Sequence, residues 1–136
     1  MFEKILLPVD GSSVSLNAAK YAIKLAQAHG SFIYVLNVLE SRPTSGVTMN
    51  ILKKEGEEAL EKVAQLFKKM ETKTLKKEYL IKEGLASEEI LNMARKEGVD
   101  LIVIGGSGKH RLERFLLGSV AEKVVRDAKC PVLTVH

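Results

Sequence analysis

The sequence predicts an α/β fold, a single doubly wound sheet of five parallel strands with helices on both faces. Three observations predict it. Five short apolar runs alternate with four stretches of helical spacing, the pattern of repeated strand–helix–strand units. The richest runs are apolar almost throughout, as strands covered on both faces must be. The composition, 46% hydrophobic and 28% charged over 136 residues, is that of an ordinary folded protein and fits one domain spanning 1–136.

The first run, Lys4-Ile5-Leu6-Leu7-Pro8-Val9, ends at Asp10-Gly11-Ser12-Ser13. Leu16, Ala19, Tyr21, Ala22, Ile23, Leu25 and Ala26 then recur at helical intervals up to Gly30, a natural stop. Pro8 is awkward in a central strand because it lacks a ladder donor; its place near the carboxyl end eases this. Ser31 to Val38 (SFIYVLNV) reads as a buried strand, with Val35 and Leu36 in the core, and Glu40 to Asn50 as a loop. Leu52, Ala59, Leu60, Val63, Phe67 and Met70 share one face of a long helix that Gly56 weakens. Thr74 to Lys82 is the most charged strand, and charge commonly protects an exposed edge. Ser87 is placed to cap the next helix, with Glu88 and Glu89 in its first turn and Gly98 at its end. Asp100 to Ile104, a helix from about Gly118 to Asp127, and Pro131 to Val135 complete the order.

Several functional classes fall away. The N-terminus MFEKILLPVDG carries charge early and only a short apolar run, so neither a signal peptide nor a membrane span is expected, and the cytoplasm is. The one cysteine, Cys130, cannot form an internal disulfide, and three scattered histidines lack metal-ligand spacing. The net charge of +4 is spread along helix surfaces with few aromatic residues, which argues against nucleic acid as a partner.

Ligands on doubly wound sheets sit beyond the carboxyl ends of the strands, which directs attention to Asp10, Val38 and Gly105 onward. The stretch VIGGSGKHRLERFLLGS is rich in glycine, yet it is no Walker loop: aligned on Gly108-Lys109, Val103 replaces the first glycine and His110 the hydroxyl. Nor is it a dinucleotide fingerprint, which would end at Arg111. The pattern present is Gly105-x2-Gly108, nine residues, then Gly118-Ser119 at the start of a helix. Glycines admit close approach of backbone amides to phosphate oxygens, and a helix N-terminus favours the same anion.

This G-x2-G-x9-G-[ST] pattern, with Ile5-Leu6-Leu7-Pro8-Val9-Asp10-Gly11-Ser12 before it and Ala128-Lys129-Cys130-Pro131-Val132-Leu133 after it, resembles the universal stress protein family over the whole chain. The resemblance implies an adenine nucleotide alpha hydrolase-like sheet in the order 3-2-1-4-5. It implies ATP, ADP or AMP as ligand, with magnesium possible alongside a triphosphate. Pro8, Val9, Asp10 and Val38 would meet the adenosine part, while Gly105, Ser107, Gly108, Lys109, Gly118, Ser119 and Val120 would surround the phosphates. Arg111 departs from the small residue many nucleotide-binding members carry there.

Duller readings stand beside these. Asp10 is equally suited to cap the first helix, and Ser119 with Glu122 forms a capping-box pattern. Gly106 is a turn residue, His110 a solvated loop histidine, and Cys130 a small buried hydrophobe. Leu112, Phe115, Leu116 and Leu117 are apolar enough to pack the loop onto the body. No catalytic residue is assigned, because no second carboxylate lies near the loop. The uncharged last strand would be a liable free edge, so a homodimer through Pro131 to Val135 is expected, as is usual in the family.

Overall fold

The computed structural model describes residues 1–40, 48–107 and 117–136. Its elements run β1 (Lys4–Pro8), α1 (Ser13–His29), β2 (Phe32–Leu39), α2 (Met49–Lys69), β3 (Lys77–Glu83), α3 (Ala86–Glu97), β4 (Leu101–Gly105), α4 (Ser119–Asp127) and β5 (Val132–Val135). The sheet is parallel throughout in the order β3-β2-β1-β4-β5, as the sequence and the family resemblance led one to expect.

Side chains alternate across the sheet and build two cores. Ile5, Leu7, Ile33, Val35, Leu101 and Val103 face α1 and α2. Leu6, Leu36, Ile102 and Ile104 face α3 and α4. Ala18, Ala19, Ala22 and Ala26, all fully buried, let α1 lie close on the central strands. On α2 the largest anchor is Phe67, 1% exposed, whose ring meets Tyr79 edge-on at 6.5 Å. Gly30 and Gly98 end α1 and α3 in left-handed conformations (φ 69° and 65°), where the sequence put the stops.

Gly56 is no weak point of α2. A Cβ there would sit 2.5 Å from Asn37 Oδ1 and 3.2 Å from Leu39 Cδ2, so the glycine lets the helix meet β2.

Four local expectations need correction. The third strand begins at Lys77, not Thr74, because Thr72 first turns inward and donates its hydroxyl to Phe67 O (3.0 Å). Leu85, not Ser87, is the N-cap of α3: Gly84 N is tied to Leu39 O, so the helix starts directly after the strand. Gly118 is the N-cap of α4, which makes Ser119 the first helical residue and shifts the Ser119–Glu122 pair out of capping-box register. Asp10 is not the cap of α1; that is Ser12, whose hydroxyl accepts from Ser15 N at 3.2 Å.

Candidate functional site

Pro8 is tolerated because of where it points. Bonding direction alternates along β1: Val9 N donates to Leu36 O on β2 (2.8 Å), so the missing Pro8 N–H faces β4. Its absence ends that ladder: β1 and β4 pair at Ile5↔Leu101 and Leu6↔Ile102, and the next bond in the pattern would need the Pro8 N–H. β1 stays with β2 to Pro8↔Leu36, and β4 stays with β5 to Gly105↔Val135. Main-chain bonding between the two central strands therefore stops short of their carboxyl ends, at the point where strand order reverses.

On the β1 side, Pro8 and Val9 are buried and Asp10 is half-buried. Asp10 Oδ1 accepts from Ser12 N at 2.9 Å, and Asp10 N donates to Ser15 Oγ at 3.4 Å. Val38, next to last in β2, is half-buried against the second core, and Val35 and Leu36 are fully buried as expected. Asn37 holds this corner: its Nδ2 donates to Val9 O at 2.9 Å, while its buried Oδ1 has no hydrogen-bond partner among the described residues. Lys62 of α2 donates to Gly11 O (3.2 Å) and so sets a cation beside the same turn.

On the β4 side, Gly105 is buried under α1. A Cβ would lie 2.9 Å from Val14 Cγ1 and 3.2 Å from Ser15 N, contacts that explain the glycine by packing. Gly106 is explained likewise, since a Cβ would meet the His136 ring at 2.7 Å. Gly118 N donates to Gly106 O at 2.7 Å, which pins the start of α4 to the end of β4. With Gly118 as cap and no side-chain cap bond, the amides of Ser119 and Val120 carry no capping partner among the described residues. Ser107, two residues after the end of β4, is half-buried. Gly108, Lys109, His110, Arg111, Leu112, Phe115 and Leu116 lie outside the described residues.

The arrangement offers donors for an anion and an apolar shelf beside them. Among the described residues no group of three His, Cys, Asp or Glu is placed to hold a metal. A separate depression of about 420 Å³, lined by Leu39, Glu40, Met49, Glu83, Gly84 and Leu85, opens at the ends of β2 and β3. Cys130 is half-buried against the second core rather than fully buried as expected; burial still pushes its thiol up, with a lesser push from Asp100 against a backbone hydrogen bond. No helix is long and apolar enough among the described residues to cross a membrane.

Sequence reasoning missed Asn37 and Lys62 and took Gly56 for a weak point of the helix. One signal was available: Asn37 is the lone polar residue between Phe32 and Leu39. A polar side chain in such a run must bond something, and here it bonds the turn that carries Asp10.

The Universal stress protein family model matches residues 1–136. The universal stress protein MJ0531 of Methanocaldococcus jannaschii is 43% identical, with 99% of this chain and 82% of the relative covered. Among solved structures, UspA of Lactobacillus plantarum superposes with a TM-score of 0.84 at 26% identity, covering 99% of this chain and 98% of that one. Two others share the fold at 23% identity. One is an Archaeoglobus fulgidus universal stress protein in complex with dAMP (TM-score 0.74, covering 100% and 98%). The other is a universal stress protein in complex with cAMP (0.75, covering 99% and 97%). With the strand order and a match over the full length, the chain belongs to the universal stress protein family.

Proposed function

We propose that this chain is an adenine-nucleotide-binding module of the stress response, with ATP as its leading ligand and magnesium accompanying the triphosphate. The observation that carries the reading is the start of α4: Gly118 is pinned to Gly106, and the Ser119 and Val120 amides are left without a side-chain cap beyond the carboxyl end of β4, where strand order reverses. Such amides favour phosphate. In this reading Pro8, Val9, Asp10 and Val38 bound the adenosine end, and Gly105, Ser107, Gly108, Lys109, Gly118, Ser119 and Val120 surround the phosphates. Relatives in complex with dAMP and cAMP support an adenine ligand. Asp10 is the carboxylate of this group and is engaged with Ser12 N, so any hydrolysis is slow. The protein works in the cytoplasm as a homodimer joined through Pro131 to Val135.

A second reading has one observation in its favour. Gly105 and Gly106 are each accounted for by packing alone, so the glycines would also persist in a family member that does not use nucleotide. One experiment separates the two. Freshly purified protein is denatured, released nucleotide is identified by mass spectrometry, and ATP is titrated into the emptied protein and into Gly118→Val. Saturable binding weakened at least about tenfold by the substitution is expected, the loss of about one phosphate-binding contribution. Absence of binding in the parent protein would refute the nucleotide reading.

A further inference from the structure

Among the described residues nothing pairs with the outer edge of β3, and its sequence, KEYLIKE, reads backwards with every charge reversed in sign. We propose that this edge is a docking surface for a second copy of the same chain, paired antiparallel about a twofold axis through Leu80. The proposal does not depend on the nucleotide reading.

Backbone direction selects the class of register. Ile33 N takes Lys76 O, and Gly84 N takes Leu39 O, so the even-numbered residues of β3 bond inward to β2. Lys77, Tyr79, Ile81 and Glu83 therefore turn their main-chain groups outward, and among the described residues nothing bonds them. Centred on Leu80, antiparallel pairing sets Tyr79 opposite Ile81 and Lys77 opposite Glu83. All four are outward-bonding residues, so each pair exchanges both main-chain bonds. Leu80 meets its own copy in the closer, non-bonded kind of pair on the axis.

Charge then selects one register. About Leu80, Glu78 faces Lys82 and Lys77 faces Glu83, opposite signs at every charged position. Centring on Glu78 or Lys82 instead would set a like pair on the axis, which costs stability. Lys77 Nζ already donates to Lys73 O (3.1 Å) and Leu75 O (2.8 Å) and lies 4.5 Å from the Phe67 ring centre. The discriminating pair is thus Glu78 with Lys82. Tyr79 and Ile81, each 37% exposed, supply the apolar contact. Charges that ward off other strands are complementary to this one. Pairing through β3 would leave β5 free, so the two edges together would join dimers into longer assemblies.

The test is disulfide trapping under mild oxidation, with Cys130→Ser as the background to remove the native thiol. Leu80→Cys places a thiol on the axis, where a second copy brings its partner within bonding range; Tyr79→Cys faces Ile81 and serves as the register control. Leu80→Cys is expected to crosslink and Tyr79→Cys to do so far less. Adding Lys82→Glu, or separately Glu78→Lys, creates two repulsive pairs and is expected to lower crosslinking about tenfold. Combining Glu78→Lys with Lys82→Glu restores opposite charges and is expected to bring crosslinking back to within about threefold of the starting level. Crosslinking at β5 cannot mimic this, since it does not bring Leu80 to its copy. No crosslink from Leu80→Cys, equal crosslinking at Tyr79→Cys, indifference to both single reversals, or failure of the double reversal in a protein that melts like its parent would each overturn the proposal.

Discussion

Gly105→Ala tests whether the glycine at the end of β4 is there for packing or for ligand. Its backbone imposes no requirement, since φ is not in the left-handed region, so an added methyl is a steric change alone. That methyl would stand 2.9 Å from Val14 Cγ1, 3.2 Å from Val14 C and 3.2 Å from Ser15 N. The latter two are backbone in the first turn of α1, which is held by the Ser12 cap and cannot rotate aside. Overpacking of this kind costs about 1–3 kcal/mol. The loss of glycine entropy in the unfolded chain offsets about 0.4–1 kcal/mol of that. A net destabilisation of about 1.5 kcal/mol remains, which lowers Tm by about 5–7 °C for a chain of this size. The assay is thermal and urea unfolding of nucleotide-free protein, with Gly118→Val melted alongside. A Gly105→Ala protein as stable as the parent would refute the packing argument. If that protein also lost ATP binding, the glycine would be serving phosphate approach instead.

The two serines at helix starts should behave differently. Ser12→Ala removes the side-chain cap of α1 and is expected to cost about 1 kcal/mol, whereas Ser119→Ala, which removes no cap bond, should change stability by less than about 0.5 kcal/mol in nucleotide-free protein; equal losses in urea titrations would contradict the cap assignment. Phe67→Ala empties the largest fully buried site under α2 and is expected to cost about 3–5 kcal/mol, with a smaller loss in urea melts showing that α2 closes over the gap. Burial, then the Glu97 carboxylate both by charge and by hydrogen bond, then Glu78, hold the Tyr34 phenol above its ordinary value of 10.0. The fold therefore favours the neutral phenol: this contribution is full below about pH 10 and is lost as pH rises through the folded value. Tyr34→Phe should flatten the alkaline fall in stability, which Tyr79, raised also by burial and by Glu61, still causes in part; parallel profiles of the two proteins would count against it.

Much of the architecture was legible because its causes are local. Apolar runs such as Leu101–Gly105, glycine stops at Gly30 and Gly98, and the charged third strand each express a rule that acts over a few residues. Helix starts were the weak point. Ser87 and Ser119 have the right chemistry for caps, but Leu39 O holding Gly84 N and Gly106 O holding Gly118 N decided where α3 and α4 begin. Those bonds join residues far apart in the chain or across a loop, and no local pattern encodes them.

By itself, then, the sequence determined the element order, the two-faced burial of the strands, and the glycine pattern that marks the family. Tertiary structure decided what each of those glycines does. Gly105 yields to the start of α1, Gly106 to His136 and Gly56 to Asn37, because close approach is a property of two surfaces and a sequence states only one of them at a time. The end of the bonding between β1 and β4 is of the same kind. Pro8 announces a missing donor, but only the bonding of Val9 N to Leu36 O shows that the missing donor faces β4, on the side where strand order reverses.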